Sequence, residues 1–284
     1  MTKASPFTSS ERLCKDFFVI DIHGKLWYYI CMLPLFKSHY SVGKSILTLA
    51  PPDSTVEGGP SSIFKIAQDN SLPQTYLVED SLIGFLEAKR TAEALNLQLA
   101  FGLRLTLCED MVNVARNSCS HKIIVFARDS KGCLLLNRIY SLAQTQGKGS
   151  IDSQNLKKLY NEEHLKICIP FYDSFLFHNS LSYKEPCILD HSFFEPTFFI
   201  ERNGLPFDSL LEESVQSYCA DNYPLELVKS IYYKDREDFE AYQTYKCICS
   251  RGFSNKSKTL DMPNLDHCGS PEFSFESYLD YESA

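Results

Sequence analysis

The feature that most constrains the fold is a repeated alternation of strand-like and helix-like segments from residue 33 to residue 250. Short apolar runs are followed by segments whose apolar residues recur at helical spacing. The predicted strands are 33–36, 75–78, 97–107, 122–126, 165–169, 195–200 and 227–232. The predicted helices are 61–70, 82–95, 130–142, 155–164, 207–219 and 235–248. This alternation favours a parallel α/β barrel over an open sheet or a segregated α+β fold.

The two ends of the chain lie outside this pattern. Residues 17–32 contain two apolar runs on either side of a short turn with a glycine, which predicts a β-hairpin within an N-terminal extension of residues 1–32. Residues 251–284 are polar, and acidic at their end, which predicts a linker or tail. The length of 284 residues suits one barrel-sized domain at 33–250 with these additions.

Charge and cysteine usage narrow the class of protein. The formal net charge of −8 argues against a chain that binds DNA through its whole surface. No apolar run reaches the roughly 18 to 20 residues of a membrane span, and no apolar signal core follows the N-terminus. The eleven cysteines include no Cys-x-x-Cys pair. We therefore expect reduced thiols and an intracellular, cytoplasmic protein without membrane contact.

Five segments resemble, in order, the sequence landmarks of one phosphoesterase family. They are residues 35–41, 78–84, 101–104, 121–127 and 230–233. They are similar to the PHP (polymerase and histidinol phosphatase) domain of C-family bacterial replicative DNA polymerases, the DNA polymerase III α type, and the likeness covers about residues 35 to 250. The resemblance implies a distorted TIM-like barrel with metal ligands at the C-terminal mouth of its strands. It also implies hydrolysis of phosphate esters by a cluster of metal ions.

Most positions that supply metal ligands in that family carry other residues in this chain. The His-x-His of the first motif corresponds to Leu35 and Lys37, and the Glu of Gly-x-Glu corresponds to Arg104. The Asp-x-His of the last motif corresponds to Ser230 and Tyr232. Because a multinuclear site needs several converging ligands, we predict that the mouth holds no metal cofactor.

The charged residues that remain predict a different use of the mouth. Glu79 and Asp80 stand in the second motif, and His121 opens the well-kept fourth motif. We expect Lys37 and Arg104 to neutralise the two carboxylates, because buried carboxylates are unstable without compensation. The predicted vestigial charge cluster comprises Lys37, Glu79, Asp80, Arg104 and His121.

Purely structural roles remain open for several of these side chains. Glu79 and Asp80 can serve as helix caps or dipole partners, and His121 can be a structural hydrogen-bonding residue. Asp173 follows a predicted strand, where either a mouth position or a turn is possible. His191 lies in a polar stretch without ligand spacing, which indicates no role.

The resemblance implies a non-catalytic PHP domain or subunit that scaffolds a C-family polymerase in DNA replication. The implied partners are a polypeptide containing the polymerase palm and an editing exonuclease, with DNA contacted only within the assembly. A second hypothesis is a zinc- or manganese-dependent phosphoesterase or 3′–5′ exonuclease with a remodelled site of Glu79, Asp80 and His121. A third is an unrelated interaction protein that kept only the barrel. Whether the chain has any enzymatic activity stays open at this stage.

Overall fold

The computed structural model of the chain describes residues 32–56, 58–113, 119–181, 187–188, 190–220, 222–249 and 269–283. Its strands are β1 Leu33–Phe36, β2 Thr75–Glu79, β3 Leu99–Cys108, β4 Ser120–Ala127, β5 Ser150–Asp152, β6 Leu165–Ile169, β7 Thr197–Ile200 and β8 Leu225–Ile231. Its α-helices are α1 Ile63–Asp69, α2 Phe85–Ala94, α3 Ser130–Gln146, α4 Ser153–Leu159, α5 Phe175–Leu181, α6 Asp208–Cys219, α7 Phe239–Cys249 and α8 Phe275–Glu282. The predicted hairpin at 17–32 falls almost wholly outside the described residues.

Seven of these strands close into a barrel in the order β2-β1-β8-β7-β6-β4-β3, with β3 returning to β2. The short strand β5 pairs with β3 outside the ring. This confirms the expected barrel-type α/β fold. The expectation of uniformly parallel strands is wrong for β4, which runs antiparallel to both β3 and β6. The connection 109–119 is shorter than the roughly dozen residues that a parallel crossover needs, so β4 returns directly alongside β3.

The strands are buried on both faces, which explains their nearly continuous apolar sequences. One face fills the barrel interior, where the apolar side chains are Leu33, Leu35, Tyr76, Val78, Ala100, Ile124, Phe126, Cys168, Phe199 and Val228. The other face packs against the surrounding helices in a larger cluster. Because side chains alternate along a strand, the face on which a residue lies follows from its position in the register. The parallel strands all end at one mouth of the barrel, and β4 begins there.

Residues 269–283, the described part of 251–284, correct the expectation of a polar linker or tail there. Within it, Phe273, Phe275 and Tyr278 are buried, and the Phe275 ring stacks on Phe36 with 5.9 Å between ring centroids. The Ser274 side chain caps α8 by accepting a hydrogen bond from the backbone N–H of Ser277. The many acidic residues made this segment look like a linker in the sequence. Burial of its aromatic residues nevertheless holds α8 against the barrel.

Three acidic side chains of this segment share one basic partner. Arg236, just before α7, forms ion pairs with Glu272 at 3.1 Å, Glu276 at 3.3 Å and Asp280 at 2.6 Å. Arg236 and all three carboxylates are partly exposed to solvent, so each pair contributes little to stability on its own. Together they orient the acidic side of α8 toward α7.

One pair of cysteines contradicts the expectation of reduced thiols. Cys119 and Cys187 form a disulfide, with their Cα atoms 5.2 Å apart and a sequence separation of 68. Such a separation leaves no local pattern from which the pairing could be predicted. The six other cysteines among the described residues are not disulfide-bonded. In the same part of the chain, no helix is long and apolar enough to cross a membrane.

Candidate functional site

Four charged side chains, three from just after strands and one from within β3, meet at the mouth of the barrel. Lys37 follows β1, Asp80 follows β2, Arg104 lies in β3 and Asp173 follows β6. The Lys37 Nζ atom lies 3.1 Å from Asp80 Oδ1, and Arg104 Nη1 lies 3.5 Å from the same oxygen. The other nitrogen of the guanidinium, Nη2, pairs closely with Asp173 Oδ2. We call these four residues the mouth ion-pair chain, because each carboxylate or cation is linked to the next.

The charge states of the mouth ion-pair chain depend on how deeply its side chains are buried. The side chains of Lys37 and Arg104 are only 7% and 12% exposed, whereas Asp80 is 32% exposed. Burial alone would raise the pKa of Asp80, but the cations of Lys37 and Arg104 outweigh it and hold this pKa at about 2. Burial lowers the pKa of Lys37, the more enclosed partner. Burial also opposes the charge of Arg104, yet Asp80 and Asp173 together raise its pKa.

Glu79 lies beside the mouth ion-pair chain without joining it. It is fully buried and accepts a hydrogen bond of 2.7 Å from the backbone N–H of Ser38 and another from the Ser41 hydroxyl. Ser41 Oγ in turn accepts from the backbone N–H of Asp80 at 3.0 Å. Burial raises the pKa of Glu79 despite these hydrogen bonds. The expected neutralisation of both carboxylates thus holds directly for Asp80. For Glu79 it holds only in part, because Lys37 lowers its pKa without a direct contact and the direct partners belong to the loop after β1.

His121 is also separate from the mouth ion-pair chain. Ile124 is the register partner of Arg104 and shares its face, so His121, three residues away, lies on the opposite face of β4. There it contacts Phe175 and His191 outside the barrel. The expected membership of His121 in the charge cluster is wrong, because the register of β4 places its side chain on the face opposite that of Arg104.

The two histidines form a neutral pair. The Nδ1–H of His121 donates to the Lys122 carbonyl at 3.1 Å, so its Nε2 atom is left as an acceptor for the Nε2–H of His191 at 3.3 Å. Burial lowers the pKa of both histidines to about 4. His191 is thus a partner that its sequence context did not indicate.

A second polar network at the mouth was missed by the sequence analysis. Glu201 follows β7, is 4% exposed, and accepts hydrogen bonds of 3.0 Å from both the backbone N–H and the hydroxyl of Ser230. Asn203 donates to Glu201 and to the hydroxyl of Tyr172, which donates to Asp208 at 2.9 Å. Burial raises the pKa of Glu201. The position of Glu201 directly after an apolar strand was the available signal.

These residues do not fit the metal cluster that the resemblance implies. The carboxylates of Asp80 and Asp173 are already paired with Lys37 and Arg104, whose charges would repel a cation. Ser230 is hydrogen-bonded to Glu201. Across the described ranges, no group of three or more His, Cys, Asp or Glu side chains is arranged to hold a metal ion. The arrangement can link strand ends and bind anions, but it lacks the groups that activate a water on a metal.

Comparisons with known proteins returned no match: no protein-family model matches the chain, and no curated protein matches it at a significant level.

We expect Arg104→Glu to destabilise the protein by about 2 to 4 kcal/mol, because it removes the cation between Asp80 and Asp173 and adds a third carboxylate. The free energy of unfolding from urea titration measures this loss. The matched control is Arg202→Glu, which breaks an ion pair with Glu212 whose arginine is 48% exposed, and should cost about 1 kcal/mol or less. A change under about 0.5 kcal/mol for Arg104→Glu would show that the guanidinium is solvated.

The histidine pair predicts a pH dependence of stability. In the folded state the pKa of His121 and of His191 is about 4, below the value of about 6.5 in an unfolded chain. The unfolded state therefore binds more protons between these values, and stability falls as the pH drops from 6.5 to 4, by up to about 1.4 kcal/mol per pH unit for each histidine. We expect His121→Gln to flatten this dependence in urea titrations at pH 7 and pH 5. Equal pH dependence in both proteins would contradict the assignment.

Proposed function

We propose that this chain is a non-catalytic PHP-like domain or subunit that scaffolds a C-family replicative DNA polymerase. One observation carries the proposal. In the resembled family, metal ligands stand at the strand ends, and here the corresponding positions place Lys37 and Arg104 in ion pairs with Asp80 and Asp173. A barrel that keeps its framework while its mouth is bridged by fixed charges suits a structural role.

The geometry supports a scaffold more than the hydrolytic alternative. Phosphoester hydrolysis by this kind of fold needs an activated water and cations beside the phosphate oxygens. The remodelled set of Glu79, Asp80 and His121 does not converge, because His121 faces the helices outside the barrel. Asp80 is held at a pKa of about 2, which makes it a poor general base near neutral pH. The ion pairs instead tie together the ends of β1, β2, β3 and β6.

The net charge of the chain indicates which kind of partner it contacts. A net charge of −8 suits contact with another protein better than unaided binding to DNA. The proposed partner is therefore a polypeptide that contains the polymerase palm, with an editing exonuclease as a further candidate. DNA would be contacted within the assembly.

Two measurements on the native assembly test this proposal. We expect the full chain to co-purify from its native host with a palm-containing polypeptide, identified by mass spectrometry. We also expect no release of nucleotides or phosphate from single-stranded DNA in the presence of manganese. Hydrolysis that disappears in His121→Ala, without any stable polymerase partner, would overturn the scaffold proposal in favour of the enzyme. Asp53→Asn, which changes an exposed carboxylate in the loop between β1 and α1, is the control variant.

A further inference from the structure

A cavity of about 240 Å³ opens on the side of the barrel next to the mouth ion-pair chain. Strand β2 pairs with β3 only as far as Leu103, and β5 pairs with it only from Thr106 onward. The edge of β3 at Arg104 and Leu105 is therefore left uncovered between them. The polar side chains that line this opening include those of Asp80, Arg104, Thr106, Lys122, Gln144 and Lys148.

The lining of the cavity carries surplus positive charge. Within the mouth ion-pair chain, the two cations and the two carboxylates cancel. Lys122 and Lys148 come in addition, and neither forms an ion pair within 4 Å in the part of the chain that the structure describes. The Nζ atom of Lys122 has only a hydroxyl partner, Thr106 Oγ1, at 2.7 Å. A protein of net charge −8 thus presents a local basic cavity.

Lys122 is fixed in position for an anion. It is the register partner of Thr106 across the β3–β4 pair, and its backbone N–H donates to the Asp173 carbonyl at 2.8 Å. The side chain is half-buried, and burial lowers its pKa. An ammonium removed from water without a carboxylate partner is unfavourable, and an anion beside it would offset that penalty.

We propose that this cavity binds a phosphate group, held by Lys122 and Lys148 beside the Arg104 guanidinium. The ligand is either free phosphate or a phosphate of a nucleic-acid strand, since both present the same oxyanion. The volume lies below the roughly 300 to 1,000 Å³ of pockets that enclose drug-sized ligands, so it fits a phosphate and its immediate attachment. No metal ion takes part, because the lysines supply the positive charge. This inference does not depend on the polymerase proposal.

The first test is calorimetric titration of inorganic phosphate into the full chain at constant ionic strength. We expect saturable binding to the wild-type protein, at least tenfold weaker binding to Lys122→Gln, and about threefold weaker binding to the more exposed Lys148→Gln. Lys166→Gln is the matched control. Lys166 also lies in the barrel interior with a pKa lowered by burial, but at the opposite end, across from Phe126. The phosphate affinity of Lys166→Gln should equal that of the wild-type protein within twofold.

A second arm distinguishes the two sources of phosphate. Fluorescence anisotropy compares a short oligothymidylate that carries a 5′-phosphate with the same strand that ends in a 5′-hydroxyl. Tighter, Lys122-dependent binding of the phosphorylated strand identifies a strand end as the ligand. Equal Lys122-dependent binding of both strands identifies backbone phosphates. If neither strand binds but inorganic phosphate does, the ligand is the free anion.

A third measurement, thermal unfolding, tests phosphate binding on the wild-type protein, so that it does not depend on whether the Lys122→Gln variant folds. Phosphate should raise the Tm of the wild-type protein above its value in chloride at equal ionic strength, and Lys148→Gln should reduce this rise. Absence of phosphate binding to the wild-type protein at 10 mM, roughly the weakest binding that a charge-assisted site would give, would overturn the proposal. Unchanged binding in a folded Lys122→Gln variant would overturn it as well. Co-purification of a polymerase is a separate readout, so failure of either proposal is recognisable by itself.

Discussion

Strand ends that converge at one mouth bring charged side chains into contact whether or not a metal lies between them. Charges brought together away from water are unfavourable unless they are paired. In this barrel they are paired in the mouth ion-pair chain of Lys37, Asp80, Arg104 and Asp173, in which every carboxylate has a cation partner. Removing one cation from the mouth ion-pair chain leaves a partly buried carboxylate uncompensated, at a cost of up to about 4 kcal/mol. The geometry around it depends on the same contacts, since the backbone N–H of Lys122 donates to the Asp173 carbonyl and so fixes the start of β4 at the mouth.

Much of the barrel could be predicted because strand and helix periods differ, and β6 begins and ends at the predicted residues. The meeting of Lys37, Asp80 and Arg104 followed from their places at strand ends. The direction of β4 could not be predicted, because a strand buried on both faces has the same apolar pattern in either direction. The misplacement of His121 has a different cause, since the register that pairs Ile124 with Arg104 puts His121 on the opposite face of β4. The packed α8 was missed because acidic residues conceal its aromatic ones, and the disulfide because its cysteines lie 68 residues apart.

The two functional proposals arise from one change of chemistry. In the proposed PHP-like barrel, Lys37 and Arg104 are fixed cations at positions where the resembled family has metal ligands, and fixed cations cannot activate a water as a metal does. Fixed cations are nevertheless suited to hold an oxyanion. The surplus charge of Lys122, next to a gap between β2 and β5, keeps the capacity for phosphate contact that hydrolysis would also need. A scaffold inside a polymerase assembly and a phosphate-binding cavity are therefore compatible roles for one barrel.

The central claim is that the ion pairs at the mouth are coupled and desolvated. A double-mutant cycle between Lys37→Met and Asp80→Asn tests it most directly, with the free energy of unfolding of the four proteins measured by urea titration. Both substitutions keep the approximate shape of the side chain while removing its charge. The account predicts a coupling free energy of about 1.5 kcal/mol or more, within the range of residues that share one ionic network. A coupling below about 0.5 kcal/mol, the size found for solvated surface pairs, would contradict it.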